Sequence, residues 1–296
     1  MVKIDSDIYI RDAKSGDAPA LLKLLNQQYY NKFNLEYIHW QYFDNENNKL
    51  SCLVNGDEII GMFGVLKKDL TNGLIGLQAS DMLIQEGYRG HGIFKNLADY
   101  AFQRYSKKDF LFVLPNLNGK NAVEKKLNWK TLFRIDEWQL TGKNFKIDSP
   151  EFENGNSKSG ISFKYSESTI KWRFFDNPLY TYKKIDLAHD EFVFIKNYED
   201  LLNNKLYVDI VFFSSDNIQF SDLGKLITEI KRSNSAEINI TTWALPGTVL
   251  SNTLQEMGFQ AIRRERYFCI SVCNELEIIN NETQFWNLYQ SDTEFY

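Results

Sequence analysis

The chain has 296 residues, 43% hydrophobic and 25% charged, a composition that excludes an intrinsically disordered protein and suits one or two packed domains. A net charge of −5 at pH 7 and an isoelectric point near 5.4, without a cluster of Lys and Arg, leave no electrostatic footprint for nucleic acid as a partner. The opening MVKIDSDIYIRDAKSGD holds no apolar core of signal-peptide length and no stretch reaches the ~18 apolar residues of a bilayer span, so a cytoplasmic protein without membrane insertion is expected.

Residues 7–12 alternate as a strand, and Ser15-Gly16-Asp17 offers caps for a helix whose apolar positions Leu21, Leu22, Leu24 and Leu25 recur at helical spacing. A second helix covers 37–43. Strands follow over 50–54, 59–66 and 76–84, divided by Asn55-Gly56-Asp57 and Thr71-Asn72-Gly73 turns, which predicts an antiparallel meander. The turn Tyr88-Arg89-Gly90-His91-Gly92-Ile93-Phe94 then opens a helix marked by Ile93, Leu97, Tyr100, Ala101 and Tyr105. Residues 110–114 read as a short buried strand and 118–127 as a helix, giving the order βααβββαβαβ. Cys52, Cys269 and Cys273 match no zinc-ligand spacing and lie in apolar runs, so they read as core residues and no metal is expected.

The chain also repeats itself. Ile38-His39-Trp40-Gln41-Tyr42-Phe43-Asp44-Asn45 pairs with Ile170-Lys171-Trp172-Arg173-Phe174-Phe175-Asp176-Asn177 at an offset of 132. Leu114-Pro115 pairs with Leu245-Pro246 at an offset of 131, and Leu127-Asn128-Trp129 with Met257-Gly258-Phe259 at an offset of 130. Three landmarks in one order predict two halves of like topology. The polar stretch 143–160, with its Ser, Asn, Glu and Pro150, has linker composition, so domains are expected over 1–145 and 146–296.

A glycine turn between a strand and a helix exposes N–H groups that the helix cannot use, and the helix dipole adds partial positive charge there. In the turn at 88–94, Gly90 and Gly92 remove the Cβ atoms that would hold a phosphate off the backbone, and Arg89 supplies a charge-assisted contact, so the turn suits a diphosphate. The turn follows the fourth strand of a βααβββ series. There it resembles the Arg/Gln-x-x-Gly-x-Gly/Ala signature of the GNAT acetyltransferase superfamily, as Arg89-x-x-Gly92-x-Phe94, with Phe94 where Gly or Ala is usual, like the subset reading R-G-x-G-I-F. Leu114-Pro115-Asn116 and Lys125-Lys126-Leu127-Asn128-Trp129 extend the likeness, Asn128 standing for a usual Gly at a helix end that favours left-handed backbone. The whole chain is most similar to two-part GNAT-like proteins of bacterial surface-polysaccharide biosynthesis.

The resemblance implies an α/β (α+β) fold of two tandem GNAT-like domains, each a mixed, mostly antiparallel central sheet flanked by helices. It implies acetyl-CoA as cofactor, its pantetheine along Met82, Leu83 and Ile84 and its diphosphate on Arg89, Gly90, His91, Gly92, Ile93 and Phe94, with Asn116 and Asn118 nearby. It further implies direct acetyl transfer to a small amine, here an amino sugar or its nucleotide-linked form, with a base and an acid to move protons. Asp81 is the expected base and His39 the second choice, while Glu124 occupies the helix position where the family commonly has an acidic Tyr. Shifting the turn by 131 lands on Phe220-Ser221-Asp222-Leu223-Gly224-Lys225, so the second half should lack acetyl-CoA and shape the acceptor site. Trp172, Tyr180 and Tyr182 offer rings for a sugar. The competing expectations are a Fem-like aminoacyl or peptidyl transferase and a non-catalytic CoA-binding protein.

Overall fold

A computed structural model describes residues 2–4, 7–29, 32–90, 92–141, 161–200, 205–215, 220–233, 238–272 and 286–293, the side chains of 263–265 and 272 excepted. The expected linker 143–160, His91 and Cys273 lie outside the described residues. The chain forms two compact units, one of Met1–Thr131, Ser166–Leu179 and Phe268–Ile279, the other of Leu132–Tyr165, Tyr180–Tyr267 and Asn280–Tyr296.

In chain order the first series is β1 (Val2–Lys3), β2 (Ile8–Asp12), α1 (Ala18–Tyr29), α2 (Leu35–Ile38), β3 (Asn48–Asn55), β4 (Glu58–Asp69), β5 (Ile75–Ile84), α3 (Ile93–Gln103), β6 (Phe110–Val113), α4 (Leu117–Leu127) and β7 (Lys130–Thr141). The second is α5 (Glu167–Ile170), β8 (Lys183–Asp186), β9 (Phe192–Asp200), β10 (Lys205–Phe213), α6 (Phe220–Ser233), β11 (Ile238–Ala244), α7 (Val249–Glu256) and β12 (Gln260–Val272). From α5 onward, the second series repeats the order of α2 to β7.

In the first unit the strands lie in the order β1-β2-β3-β4-β5-β6, and residues 269–272 of β12 pair antiparallel with β6. The expected meander is present: β3 to β4 and β4 to β5 are antiparallel, and only β5 to β6 is parallel. Asp17 starts α1 by accepting the Lys14 N–H at 2.7 Å while it pairs with Arg11 at 2.6 Å. The helix then buries Leu21, Leu24 and Leu25, and α3 buries Ile93, Leu97, Ala98, Ala101 and Phe102. Phe63 of β4 meets Phe94 and Phe102 of α3 with ring centroids 6.0 and 5.4 Å apart, which seats α3 on the sheet. Asn128 ends α4 at φ 57°, the left-handed geometry its position called for.

The second unit orders its strands β12-β7-β11-β10-β9-β8, with β10 parallel to β11. The amphipathic α6 buries Leu223, Leu226, Ile227 and Ile230. Cys52 and Cys269 are buried core residues, as read from the sequence. Among the described residues, no helix is long and apolar enough to cross a membrane.

The repeated motif has a local structure of its own. α2 runs into a π-helical turn, His39–Phe43, closed by the Asp44 N–H on the His39 carbonyl at 2.8 Å. α5 runs into the same turn at Lys171–Phe175, closed by the Asp176 N–H on the Lys171 carbonyl at 3.0 Å. Within the first unit Trp40 and Trp172 stack at 4.6 Å, and each indole N–H donates to the other's backbone carbonyl, at 3.0 and 3.1 Å.

Candidate active site

The site begins where β5 parts from β6. β5 pairs with β6 only from Gly76 opposite Phe110 to Gln78 opposite Phe112, yet β5 continues to Ile84 while β6 ends at Val113. Beyond Gln78 that edge of β5 has no strand partner among the described residues. Opposite β4, the register passes from Met62 beside Leu83 to Gly64 beside Ser80, so Asp81 and Met82 together face Phe63 in a β-bulge. Asp81 sits at φ 44°, an uncommon conformation for a residue with a Cβ. Met82 and Leu83 are half-buried and Ile84 is buried along this open edge.

The strand leads into the glycine turn. The Gln85 N–H donates to the Ile60 carbonyl at 2.9 Å, Arg89 Nε donates to the Ile84 carbonyl at 2.9 Å, and Asn55 Nδ2 donates to the Tyr88 hydroxyl at 2.9 Å. These bonds pin the start of the turn. Gly90 and Gly92 adopt φ 108° and 74°, Gly92 capping α3, and a Cβ on either would meet nothing within 4 Å. Open space therefore lies above the turn, beside helix N–H groups that lack intrahelical acceptors. The Ile93 N–H bonds the Gly90 carbonyl at 3.1 Å, and Ile93 is buried, so the helix start is fixed beneath that space.

At the bulge, Asp81 is only 2% exposed, and its Oδ2 accepts hydrogen bonds from the Tyr42 hydroxyl at 2.5 Å and the Tyr37 hydroxyl at 3.2 Å. Its Oδ1 is buried without a hydrogen-bond partner among the described residues. Burial pushes the Asp81 carboxyl up to about 6, against the hydrogen bonds from Tyr42 and Tyr37 and the adjacent Ser80 hydroxyl, which pull it down. The Tyr42 phenol is raised well above its ordinary value, first by burial and then by the Asp81 charge. In an α-helix, residues five apart point about 140° away from one another. The π-helical turn widens the helix and lets Tyr37 and Tyr42 reach the same carboxylate oxygen. Gly64 makes room: a Cβ there would fall 2.1 Å from the Tyr42 hydroxyl oxygen.

Asp81 is the carboxylate expected from the sequence, whereas Tyr37, Tyr42, Gly64 and Ser80 are not among the expected site residues. A signal was present, because the repeat places Thr169 and Phe174 where the two tyrosines stand. His39 is half-buried with its ring 5.5 Å from Phe43 of its own turn, and no contact joins it to Asp81 among the described residues. Glu124 accepts from Lys120 Nζ at 2.8 Å and from the Thr131 hydroxyl at 2.6 Å, and these bonds, Lys120 first, hold its carboxyl below the usual range. It is ionised at neutral pH and has no proton to give. Asn116 caps α4 by accepting the Gly119 N–H at 2.9 Å, and Asn118 is exposed in the first turn. The rings read as sugar platforms are taken up within the chain. Trp172 lies on Trp40, Tyr182 is buried, and Lys196 Nζ sits 4.5 Å over Tyr180. In the second series, Asp222 is buried in the first turn of α6 beside Lys225, at 3.3 Å.

No protein-family model and no curated protein sequence matches the chain. Among solved structures it is similar to a GCN5-related N-acetyltransferase from Anabaena variabilis, with a TM-score of 0.66 and 13% identity over 90% of this chain and 73% of that one. A GCN5-related N-acetyltransferase from Kribbella flavida gives a TM-score of 0.59 and 13% identity, over 90% of this chain and 72% of that one. The GCN5-related glucosamine N-acetyltransferase region of a fungal multi-domain beta-N-acetylglucosaminidase gives a TM-score of 0.54 and 9% identity, over 90% of this chain and 38% of that one. The likeness establishes the fold: a mixed α/β arrangement of the GCN5-related N-acetyltransferase kind.

Proposed function

We propose that the chain is an acetyl-CoA-dependent N-acyltransferase that transfers an acetyl group directly to a small amine, with an amino sugar, free or nucleotide-linked, as the acceptor class. One observation carries this reading: the unpaired edge of β5 joins a glycine turn with open space above it, and a buried carboxylate sits at the bulge of the same strand.

The residues fit the cofactor. The space over Gly90 and Gly92, bounded by the α3 N-terminus with Ile93 and Phe94 and by the exposed Arg89, suits a diphosphate, and His91 is assigned to the same site from its place in the sequence. The edge at Met82, Leu83 and Ile84 offers backbone groups to the two amides of pantetheine as an added strand would use them. Asn116 and Asn118, at the start of α4, flank the end of β6. When bound, the thioester supplies an activated acyl carbon. Asp81, ionised above a pH of about 6, takes a proton from the acceptor's ammonium. Glu124 is held as a carboxylate and does not serve as the acid, which leaves proton return to solvent.

The second series keeps the element order without the glycine turn, which supports reading 146–296 as a tandem GNAT-like half without a diphosphate site that shapes the acceptor site. The two-part organisation fits a cytoplasmic role in surface-polysaccharide biosynthesis, and the fungal neighbour's glucosamine activity supports the acceptor class. Thiol release from acetyl-CoA, measured with glucosamine, nucleotide-linked amino sugars and simple amines, tests the reading. Release only with an amino sugar supports it. Tight CoA binding with no release from any amine would identify a non-catalytic CoA-binding protein, and aminoacyl transfer from aminoacyl-tRNA to an amine without CoA binding a Fem-like transferase.

A further inference from the structure

Each half has a π-helical turn and a strand with one extra residue, but only one carries polar chemistry there, and only there does the bulged strand take a positive φ, at Asp81. β10 is bulged: Ile210 opposite Ile195 is followed by Phe212 opposite Phe194, which leaves Val211 as the extra residue, 130 positions after Asp81. α5 ends in the same π-helical turn as α2, with Thr169 and Phe174 at the places of Tyr37 and Tyr42. In the same registers Ile210 stands for Ser80 and Ile195 for Gly64. So the π-helical turn and the bulge form without the tyrosines, the carboxylate or the glycine that admits Tyr42. The polar set is not what folds these elements.

A buried carboxylate lowers stability unless its oxygens are satisfied, and here satisfaction is one-sided. Both tyrosine hydroxyls converge on Oδ2, while Oδ1 is buried without a donor among the described residues. The titratable groups facing Asp81 are Tyr37 and Tyr42 from the helix, with Ser80 beside it on β5, and no ion pair engages Asp81 among the described residues. Its vacant acceptor lies at the strand segment that leads to the glycine turn. The complementary group is a compact cation with N–H donors.

We infer that Tyr42 and Tyr37 are positioning residues that hold Asp81 by Oδ2, so that Oδ1 receives the primary ammonium of the acceptor. This rests on the N-acyltransferase reading. The ammonium donates a hydrogen bond to Oδ1, and its proton then moves from nitrogen to Oδ1, leaving a neutral amine with a free lone pair and a protonated Asp81 that returns the proton to water. Selectivity follows: a primary ammonium fits one vacant acceptor, whereas a quaternary ammonium offers no N–H.

The test labels the full-length protein with [4-13C]aspartate, assigns the Asp81 signal by Asp81→Asn, and follows it against pH and methylammonium chloride. Acetyl-CoA binding is measured calorimetrically on the same samples. The wild-type signal should titrate near pH 6 and shift saturably with methylammonium but not with tetramethylammonium. Tyr42→Phe should lower the acid dissociation constant of Asp81 about tenfold and weaken the methylammonium response, with acetyl-CoA affinity unchanged. Tyr37→Phe should do the same to a lesser degree. Phe174 shows that phenylalanine fits this turn, so Tyr42→Phe should fold. Acetyl-CoA binding together with an Asp81 signal blind to methylammonium, or an unchanged midpoint in Tyr42→Phe, overturns the inference. Absence of acetyl-CoA binding to the wild type would instead overturn the reading on which it rests.

Discussion

Replacing Gly64 with alanine probes the seat of Tyr42 directly. The new Cβ would lie 2.1 Å from the hydroxyl oxygen, 2.6 Å from Cζ and 2.7 Å from Cε1 of Tyr42, all too close for real contacts. Tyr42 is buried and its hydroxyl is bonded to Asp81 and Ser80, so either its ring leaves the site or β4 shifts. If the ring leaves, the 2.5 Å bond to Asp81 is lost, at about 1.5–3 kcal/mol for a hydrogen bond to a charged group. Overpacking adds about 1–3 kcal/mol, while removing a strand glycine returns about 0.5–1 kcal/mol. The expected net loss is about 2–5 kcal/mol. Urea unfolding of Gly64→Ala, Tyr42→Ala and the double variant measures it. With the ring gone the methyl enters vacated space, so in the Tyr42→Ala background Gly64→Ala should be neutral or stabilising by up to about 1 kcal/mol. A single Gly64→Ala variant within about 0.5 kcal/mol of wild type, or purely additive effects, would refute the seating of Tyr42 over Gly64.

The Asp81 carboxyl titrates near 6 in the folded chain, above its ordinary 3.8, so between those values the folded state holds a proton that the unfolded state has released, and stability falls as pH rises. Above that window the burden is on the order of 3 kcal/mol, so Asp81→Asn should raise the melting temperature at pH 7.5 and lose that advantage near pH 4, as thermal unfolding at both pH values will show. Asn128→Ala should cost about 1 kcal/mol, because alanine is strained at φ 57°, whereas Asn128→Gly should be neutral or slightly stabilising; urea unfolding of the two variants checks the sign.

Much of the frame was legible because it follows from local pattern. The meander and α3 follow from hydrophobic period and turn chemistry, the left-handed Asn128 from the resemblance at the end of α4, and the structure has all three. The π-helical turns were not legible: 37–43 reads as ordinary helix, since nothing in an apolar period distinguishes closure over five residues from closure over four. The bulge at Asp81 was likewise hidden, because its sign, a positive φ, falls on a residue other than Gly. The pairing of β12 with β6 joins residues far apart in sequence, and such partners leave no local trace. Asp81 is legible as a carboxylate just before the segment that the resemblance assigns to pantetheine. Its hydrogen-bonding tyrosines were visible only by comparing the repeats position by position, where Tyr37 and Tyr42 become Thr169 and Phe174. Glu124 showed its limits as a proton donor only once Lys120 and Thr131 were seen on its two oxygens.

Calorimetric titration of acetyl-CoA into the wild-type chain and into Gly92→Val tests the account at its centre. Gly92 caps α3 at φ 74°, where a β-branched residue is strained, and a side chain there would enter the open space assigned to the diphosphate. Saturable one-to-one binding to the wild type is expected, with a loss of about 100-fold or more in a variant that remains folded, equivalent to about 2.7 kcal/mol of lost diphosphate contacts. Equal affinity in the two proteins, or no binding to the wild type, would contradict it.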